Sequence, residues 1–125
     1  MAISQERSLR KPSGARMKGK PSKRLALKGS KPTGTIIGEQ VRRTVRGRGG
    51  NERFRTLAIN TVSLYDPKTK NTTKEDIIQV VDNSASAHFV RRNIVTKGAI
   101  IETKKGKAKV TNRPGQEGTL QAVLV

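Results

Sequence analysis

The chain of 125 residues carries 27 Lys and Arg against 9 Asp and Glu, a formal net charge of +18, with 32% hydrophobic residues and neither cysteine nor tryptophan. Disulfides and thiolate zinc sites are excluded, and there is no apolar run of the length that a membrane span or a secretory leader needs. So much positive charge on so short a chain repels itself unless a polyanion neutralises it, and nucleic acid is the expected polyanion.

An acidic-lipid surface would instead call for a basic amphipathic helix with bulky apolar anchors. The only aromatics are Phe54, Tyr65 and Phe89. The chain is expected to be soluble and intracellular, and the lack of cysteine agrees with a reducing compartment. The apolar content lies well below the roughly 45–50% usual in globular proteins, so part of the chain is not expected to join a core.

The composition changes near residue 34. Up to Lys31 there are 10 basic residues and one acid, Glu6, interspersed with Pro12, Gly14, Gly19, Pro21 and Gly29. Such a segment cannot bury enough apolar surface to offset its chain entropy, so 1–33 is expected to be a basic, extended N-terminal arm, disordered without RNA. The other 17 basic residues and 8 acids follow from Pro32, so each part contributes +9.

From Thr35 onward β-branched residues concentrate in short runs separated by turn chemistry. The expected strands are 35–37, 39–46, 53–60, 62–65, 76–82, 94–96, 99–103, 107–111 and 119–124. Ile77, Ile78, Val80 and Val81 also fit one face of a short helix. Turns are expected at Gly47–Asn51, Asp66–Thr69, Lys104–Gly106 and Arg113–Gln116, the last of type II because Pro precedes Gly. Short strands at this spacing predict an all-β fold, a small β-barrel over 34–125.

The densest charge is in Arg42-Arg43-Thr44-Val45-Arg46-Gly47-Arg48-Gly49-Gly50-Asn51-Glu52-Arg53-Phe54-Arg55. A planar guanidinium offers forked donors to phosphate oxygens and is weakly hydrated, so arginines around a glycine turn read as a cationic ridge for a polyanion. Alternation puts Val41 and Val45 on one face of the first strand and Arg42, Thr44 and Arg46 on the other. On the second strand Arg53, Arg55, Leu57 and Ile59 share a row that changes from basic to apolar. The glycine end should therefore project beyond the core while the far end packs.

Catalytic chemistry finds few residues. His88, in Ser84-Ala85-Ser86-Ala87-His88-Phe89, reads as a loop imidazole making a hydrogen bond or an RNA contact. Glu75 and Asp76 are neighbours on a strand and face opposite ways, as a solvated edge would have them. Gly47 to Gly50 lacks the Lys-Ser/Thr that completes a nucleotide-binding loop. Three scattered rings cannot tile a base-stacking surface, so recognition is expected through phosphates, sugars and the shape of a folded RNA.

Several stretches together resemble a known family: Arg10-Lys11-Pro12-Ser13-Gly14, Lys31-Pro32-Thr33-Gly34 with Gly38, Val45 to Asn51, Asp66-Pro67-Lys68-Thr69, His88 to Gly98 and Arg113-Pro114-Gly115-Gln116. They are similar to the small-subunit ribosomal protein family of archaea and eukaryotes called S-eight-e, in its short archaeal form. Ala15 stands where a second glycine is common in that family, and Gly47 where a valine or threonine is common.

The resemblance implies a β-barrel with a basic extension threaded into ribosomal RNA, acting as a structural and assembly component, not an enzyme, with no cofactor and no small-molecule substrate. Neighbouring small-subunit ribosomal proteins would be its other partners. Expected RNA contacts are Arg10, Lys11, Arg16, Lys23, Arg24 and Lys31 in the arm; Arg42, Arg43, Arg46, Arg48, Arg53 and Arg55 in the ridge; and Arg91, Arg92, Lys97 and Arg113 beyond it. Gly14, Gly34 and Gly49 would let the backbone approach phosphates. Arg91 and Arg92 have an alternative role as a charged edge that deters strand pairing, and Lys104, Lys105, Lys107 and Lys109 as charges that keep a hairpin tip soluble. The competing functional reading is a free regulatory or chromatin-like nucleic-acid-binding protein.

Overall fold

The computed structural model describes residues 3–4, 8–19 and 24–125. The chain divides into two units, Met1–Pro32 and Thr33–Val125. In the first, β1 (Ile3–Ser4) pairs antiparallel with β2 (Lys28–Gly29). Arg10 bridges Arg16 across a tight turn, where the Lys11 N–H donates to the Ala15 carbonyl at 2.8 Å and Arg10 Nη1 to the Gly14 carbonyl at 3.0 Å. Where burial is described, no residue of this unit is buried. Its local order rests on backbone hydrogen bonds, as its composition dictates.

In the second unit β3 (Ile36–Ile37), β4 (Val41–Arg46) and β5 (Glu52–Ile59) form a three-stranded sheet with β5 in the middle, parallel to β3 and antiparallel to β4. Then β6 (Thr61–Tyr65), β7 (Thr72–Asp82), β8 (Ile100–Thr103), β9 (Gly106–Val110) and β10 (Gln121–Leu124) close into a barrel. Successive strands of the barrel are antiparallel. With an odd number of strands the first and last point the same way, so the closing β6–β10 ladder is parallel.

The core follows from period-two alternation. Val62 and Leu64 on β6, Ala108 and Val110 on β9, and Ile77, Val80 and Ile101 between them point inward, joined by Leu120 and by Ile59 from the end of β5. Leu64, Ile101 and Leu120 are fully buried, each contributing about 1.5–3 kcal/mol of apolar burial.

Residues 75–81 belong to a strand, inside β7, and not to a helix. Three local expectations are corrected. Residues 94–96 make only a single bridge, Ile94 to Ile36, because the buried Asn83 side chain takes the place of a strand neighbour. Its Nδ2 donates to the Ile94 carbonyl at 3.1 Å, and its Oδ1 accepts from Thr96 Oγ1 at 2.9 Å. The segment around His88 is a helix, α1 (Ala87–Arg91), begun by Ser86, whose Oγ accepts from the His88 N–H at 3.3 Å.

Arg113–Gln116 does not form a type II turn. It opens a second helix, α2 (Pro114–Glu117), with Pro114 at its first position. The residue with positive φ is Gly118, at +77°, which caps that helix. Asn112 holds the whole connection: its Nδ2 donates to Glu117 Oε2 at 3.1 Å and to the Thr119 carbonyl at 2.8 Å, while its Oδ1 accepts from the Gln121 N–H at 3.0 Å.

Candidate nucleic-acid interface

β4 and β5 make a two-stranded ribbon running out from the core. Burial on β5 rises along the strand, from exposed Glu52, Arg53 and Phe54 to buried Thr56, Ala58 and Ile59. The glycine turn at the outer end holds Gly49 at φ +75°, with Asn51 Nδ2 donating to the Arg48 carbonyl at 3.2 Å. A left-handed conformation costs glycine the least, and the missing Cβ leaves the turn's backbone open to close approach.

Register assigns the side chains to faces. Arg43 opposes Arg55 and Val45 opposes Arg53, so these share one face of the ribbon; Arg42 opposes Thr56, Thr44 opposes Phe54 and Arg46 opposes Glu52 on the other. The ladder slips between Val41, which opposes Ala58, and Arg42, leaving Leu57 as an extra residue on β5. This bulge corrects the expectation of one continuous row from Arg53 to Ile59. The slip turns Ile59 to the face of Thr56, toward the core, while Leu57 stays 36% exposed.

Arg42, Arg43, Arg46, Arg48 and Arg53 are exposed and Arg55 is half-buried. Among the described residues none of them lies within ion-pair distance of a carboxylate. Arg42 is steadied by Gln40, whose amide oxygen, turned toward it, accepts from Nη2 at 2.6 Å and from Nε at 3.0 Å.

The other expected contacts lie on separate elements. Arg91 ends α1 and Arg92 caps it, both exposed. Asn93, which follows, accepts through its carbonyl from the Ile37 N–H at 3.2 Å, so this segment borders β3, at the edge of the sheet opposite β4. Arg113 precedes α2, which packs on β5, and Lys97 sits exposed in the turn before β8. In the first unit Arg10, Lys11, Arg16, Arg24 and Lys31 are exposed. Lys23 lies outside the described residues.

The two basic residue types separate in space. After Pro32 every arginine is on the β4–β5 ribbon or beside α1 and α2, whereas every lysine is on the barrel strands β7 and β9 or on the turns next to β6, β7, β8 and β9. Two of the barrel lysines, at the β8–β9 turn, have acids beside them. Lys105 Nζ lies 2.9 Å from Glu75 Oε1, and Lys104 Nζ 3.5 Å from Asp76 Oδ2.

Glu75 and Asp76 therefore stand on an interior strand with cationic partners, a correction to their reading as a solvated edge. Asp66 closes its turn by accepting from the Lys68 N–H and from Thr69 Oγ1, both at 2.9 Å. These bonds to the ionised form, the backbone one first, hold its pKa below the ordinary value of 3.8.

Composition reasoning passed over two features. Phe54 is 56% exposed in the middle of the ribbon, and Gln40 braces Arg42. The alternation of Phe54 with Arg53 and Arg55 was the available signal for the first; the second depends on side-chain geometry alone.

The sequence matches the family described as Ribosomal protein S8e over residues 4–125. It is 48% identical over 125 residues to the small ribosomal subunit protein eS8 of Methanobrevibacter smithii, covering all of both chains. Identity to the eS8 of Methanosphaera stadtmanae is 46%, across all of this chain and 99% of that one, and to the eS8 of Picrophilus torridus 43%, across all of both.

Proposed function

The chain belongs to the ribosomal protein S8e family, and from that premise we propose that it holds its place in the small ribosomal subunit by binding the phosphates of folded ribosomal RNA through the β4–β5 ribbon. The carrying observation is the set of outward arginines on that ribbon, without carboxylate partners among the described residues, while Lys104 and Lys105 at the barrel's β8–β9 turn have acids beside them. Guanidinium groups reach phosphate oxygens with paired donors and lose little hydration in doing so.

The barrel supplies a stiff base for the ribbon. Docking would begin with Arg42, Arg43, Arg46, Arg48, Arg53 and Arg55, supported by Arg91, Arg92, Lys97 and Arg113. The basic segment 1–33 would then settle as RNA closes around Arg10, Lys11, Arg16, Lys23, Arg24 and Lys31. With no buried residue to anchor it where burial is described, that segment draws its ordering energy from charge contacts. Ribosomal proteins next to it in the subunit are the remaining partners, and the ribosome in the cytoplasm is its place of work.

The test is the affinity of the purified full chain for small-subunit ribosomal RNA transcribed in vitro, set against heparin. A clear preference for the transcript, with crosslinks at β4–β5 in intact subunits, is the expected result. Equal affinity for heparin, together with sedimentation outside the small-subunit peak, would instead describe a free nucleic-acid binder.

A further inference from the structure

We propose that Phe54 is a stacking platform for one unpaired base of the bound RNA, which gives the ribbon a base-directed contact on one face in addition to its phosphate contacts. This inference rests on the RNA-binding reading above.

The ring is 56% exposed although it lies mid-ladder on β5, where an apolar side chain would ordinarily be covered by a neighbour. Its cross-strand partner is Thr44, too small to cover a phenyl face. The diagonal neighbours on the same face are Arg42 and Arg46, residues that register places within reach of a large side chain at position 54.

One step further along the strand this face closes: Thr56 is fully buried, and α2 packs on β5 with a Cβ at Gly118 falling 3.9 Å from Thr56 Oγ1. The ring therefore stands at the border between the covered and open parts of the face. Its backbone is held by the ladder, and the Gln40 amide oxygen, turned toward Arg42, can accept from that guanidinium on the same face.

Charge selects the occupant. The exposed phenyl is flanked by cations, which favours a ligand that brings a flat π surface and negative charge together; a nucleotide whose base is out of its helix has both. Glu52 shares the face, directly opposite Arg46 in the register, and is the one acid among these residues. A single ring suffices for a single base, which is compatible with a chain too poor in aromatics to bind an extended single strand.

The experiment measures the affinity of the full chain for in-vitro-transcribed small-subunit ribosomal RNA across a salt series, for Phe54→Ala, Phe54→Leu, Phe54→Trp and the wild type. Stacking predicts that Phe54→Ala and Phe54→Leu weaken binding roughly 5- to 150-fold, that Phe54→Trp keeps or improves it, and that the slope of log affinity against log salt is the same for all four.

Unchanged affinity in Phe54→Ala overturns the proposal. So does recovery of affinity in Phe54→Leu, which would mark a plain apolar contact such as a protein side chain would make, and so does a changed slope, which would mean that the substitution acts through the arginines. A double substitution on the opposite face, Arg43→Ala with Arg53→Ala, separates the two levels. If it lowers affinity and slope while the Phe54 variants do nothing, stacking alone fails. If the wild type shows no preference for the transcript over heparin, the RNA-docking reading fails with it.

Discussion

Arg43 and Arg55 occupy directly opposed positions on β4 and β5, so their two side chains share one face of the ribbon as cross-strand neighbours. Like charges so placed repel. A free chain bears that repulsion, and a bound polyanion relieves it. Substituting Arg43→Ala should therefore raise the thermal stability of the free protein, by a few tenths of a kcal/mol on the order of magnitude for such pairs, while lowering its affinity for ribosomal RNA. Melting curves with and without RNA check both signs; a loss of stability in the free chain would show that Arg43 is a structural residue.

The separation of arginine from lysine yields a comparison of two variants. Replacing Arg46, Arg48 and Arg53 together by alanine should reduce the slope of log affinity against log salt by up to roughly 2.7, at roughly 0.9 per phosphate released, a coefficient taken from B-form DNA. Replacing Lys104 and Lys105 together should leave the slope nearly unchanged, because these side chains already face Asp76 and Glu75. Filter binding across salt concentrations reads both. Equal slopes for the arginine variant and the wild type would refute the ribbon as the docking element.

Asn112 is buried, with three hydrogen bonds that tie α2 and the start of β10 to one side chain. Asn112→Ala removes the partner of the Thr119 carbonyl and of the Gln121 N–H. The expected loss is about 0.5–1.5 kcal/mol for each hydrogen bond removed, measured by urea unfolding. A stability equal to the wild type would mean that solvent reaches both groups.

Asp66 gives a pH dependence of known sign. Its folded pKa lies below 3.8 because the ionised carboxylate accepts from the Lys68 N–H and from Thr69 Oγ1. The stability it contributes is thus fully present above 3.8 and is lost as pH falls through the depressed value. The difference in stability between wild type and Asp66→Ala should be constant from neutral pH down to that point and shrink below it. A difference that closes at higher pH would contradict the assignment of the turn.

The strands and the character of the ribbon follow from residues close together in sequence. Alternation around Val62 and Leu64, the β-branched run Ile77–Val81 and the arginines spaced about Gly47–Gly50 each specify their own local geometry, because pleating and turn formation depend on near neighbours. Hence the barrel and the cationic ridge were legible in the sequence. So was the poverty of the first unit in anything able to build a core.

Tertiary structure decided what depends on distant partners. The bulge at Leu57 lies where the β4–β5 ladder slips by one residue, next to the stretch of β5 that also pairs with β3, and that slip sends Ile59 into the core and away from the row of Arg53 and Arg55. Residues 94–96 have strand composition, yet Asn83 takes up the Ile94 carbonyl, so the ladder never forms. Proline then glycine at 114–115 suits a turn or a helix start equally well, and the Asn112–Glu117 bond accompanies the helix. Likewise the exposure of Phe54 depends on what lies across the ladder from it: Thr44, ten positions away in a tight hairpin, is small, and no local rule gives that pairing until the register is set.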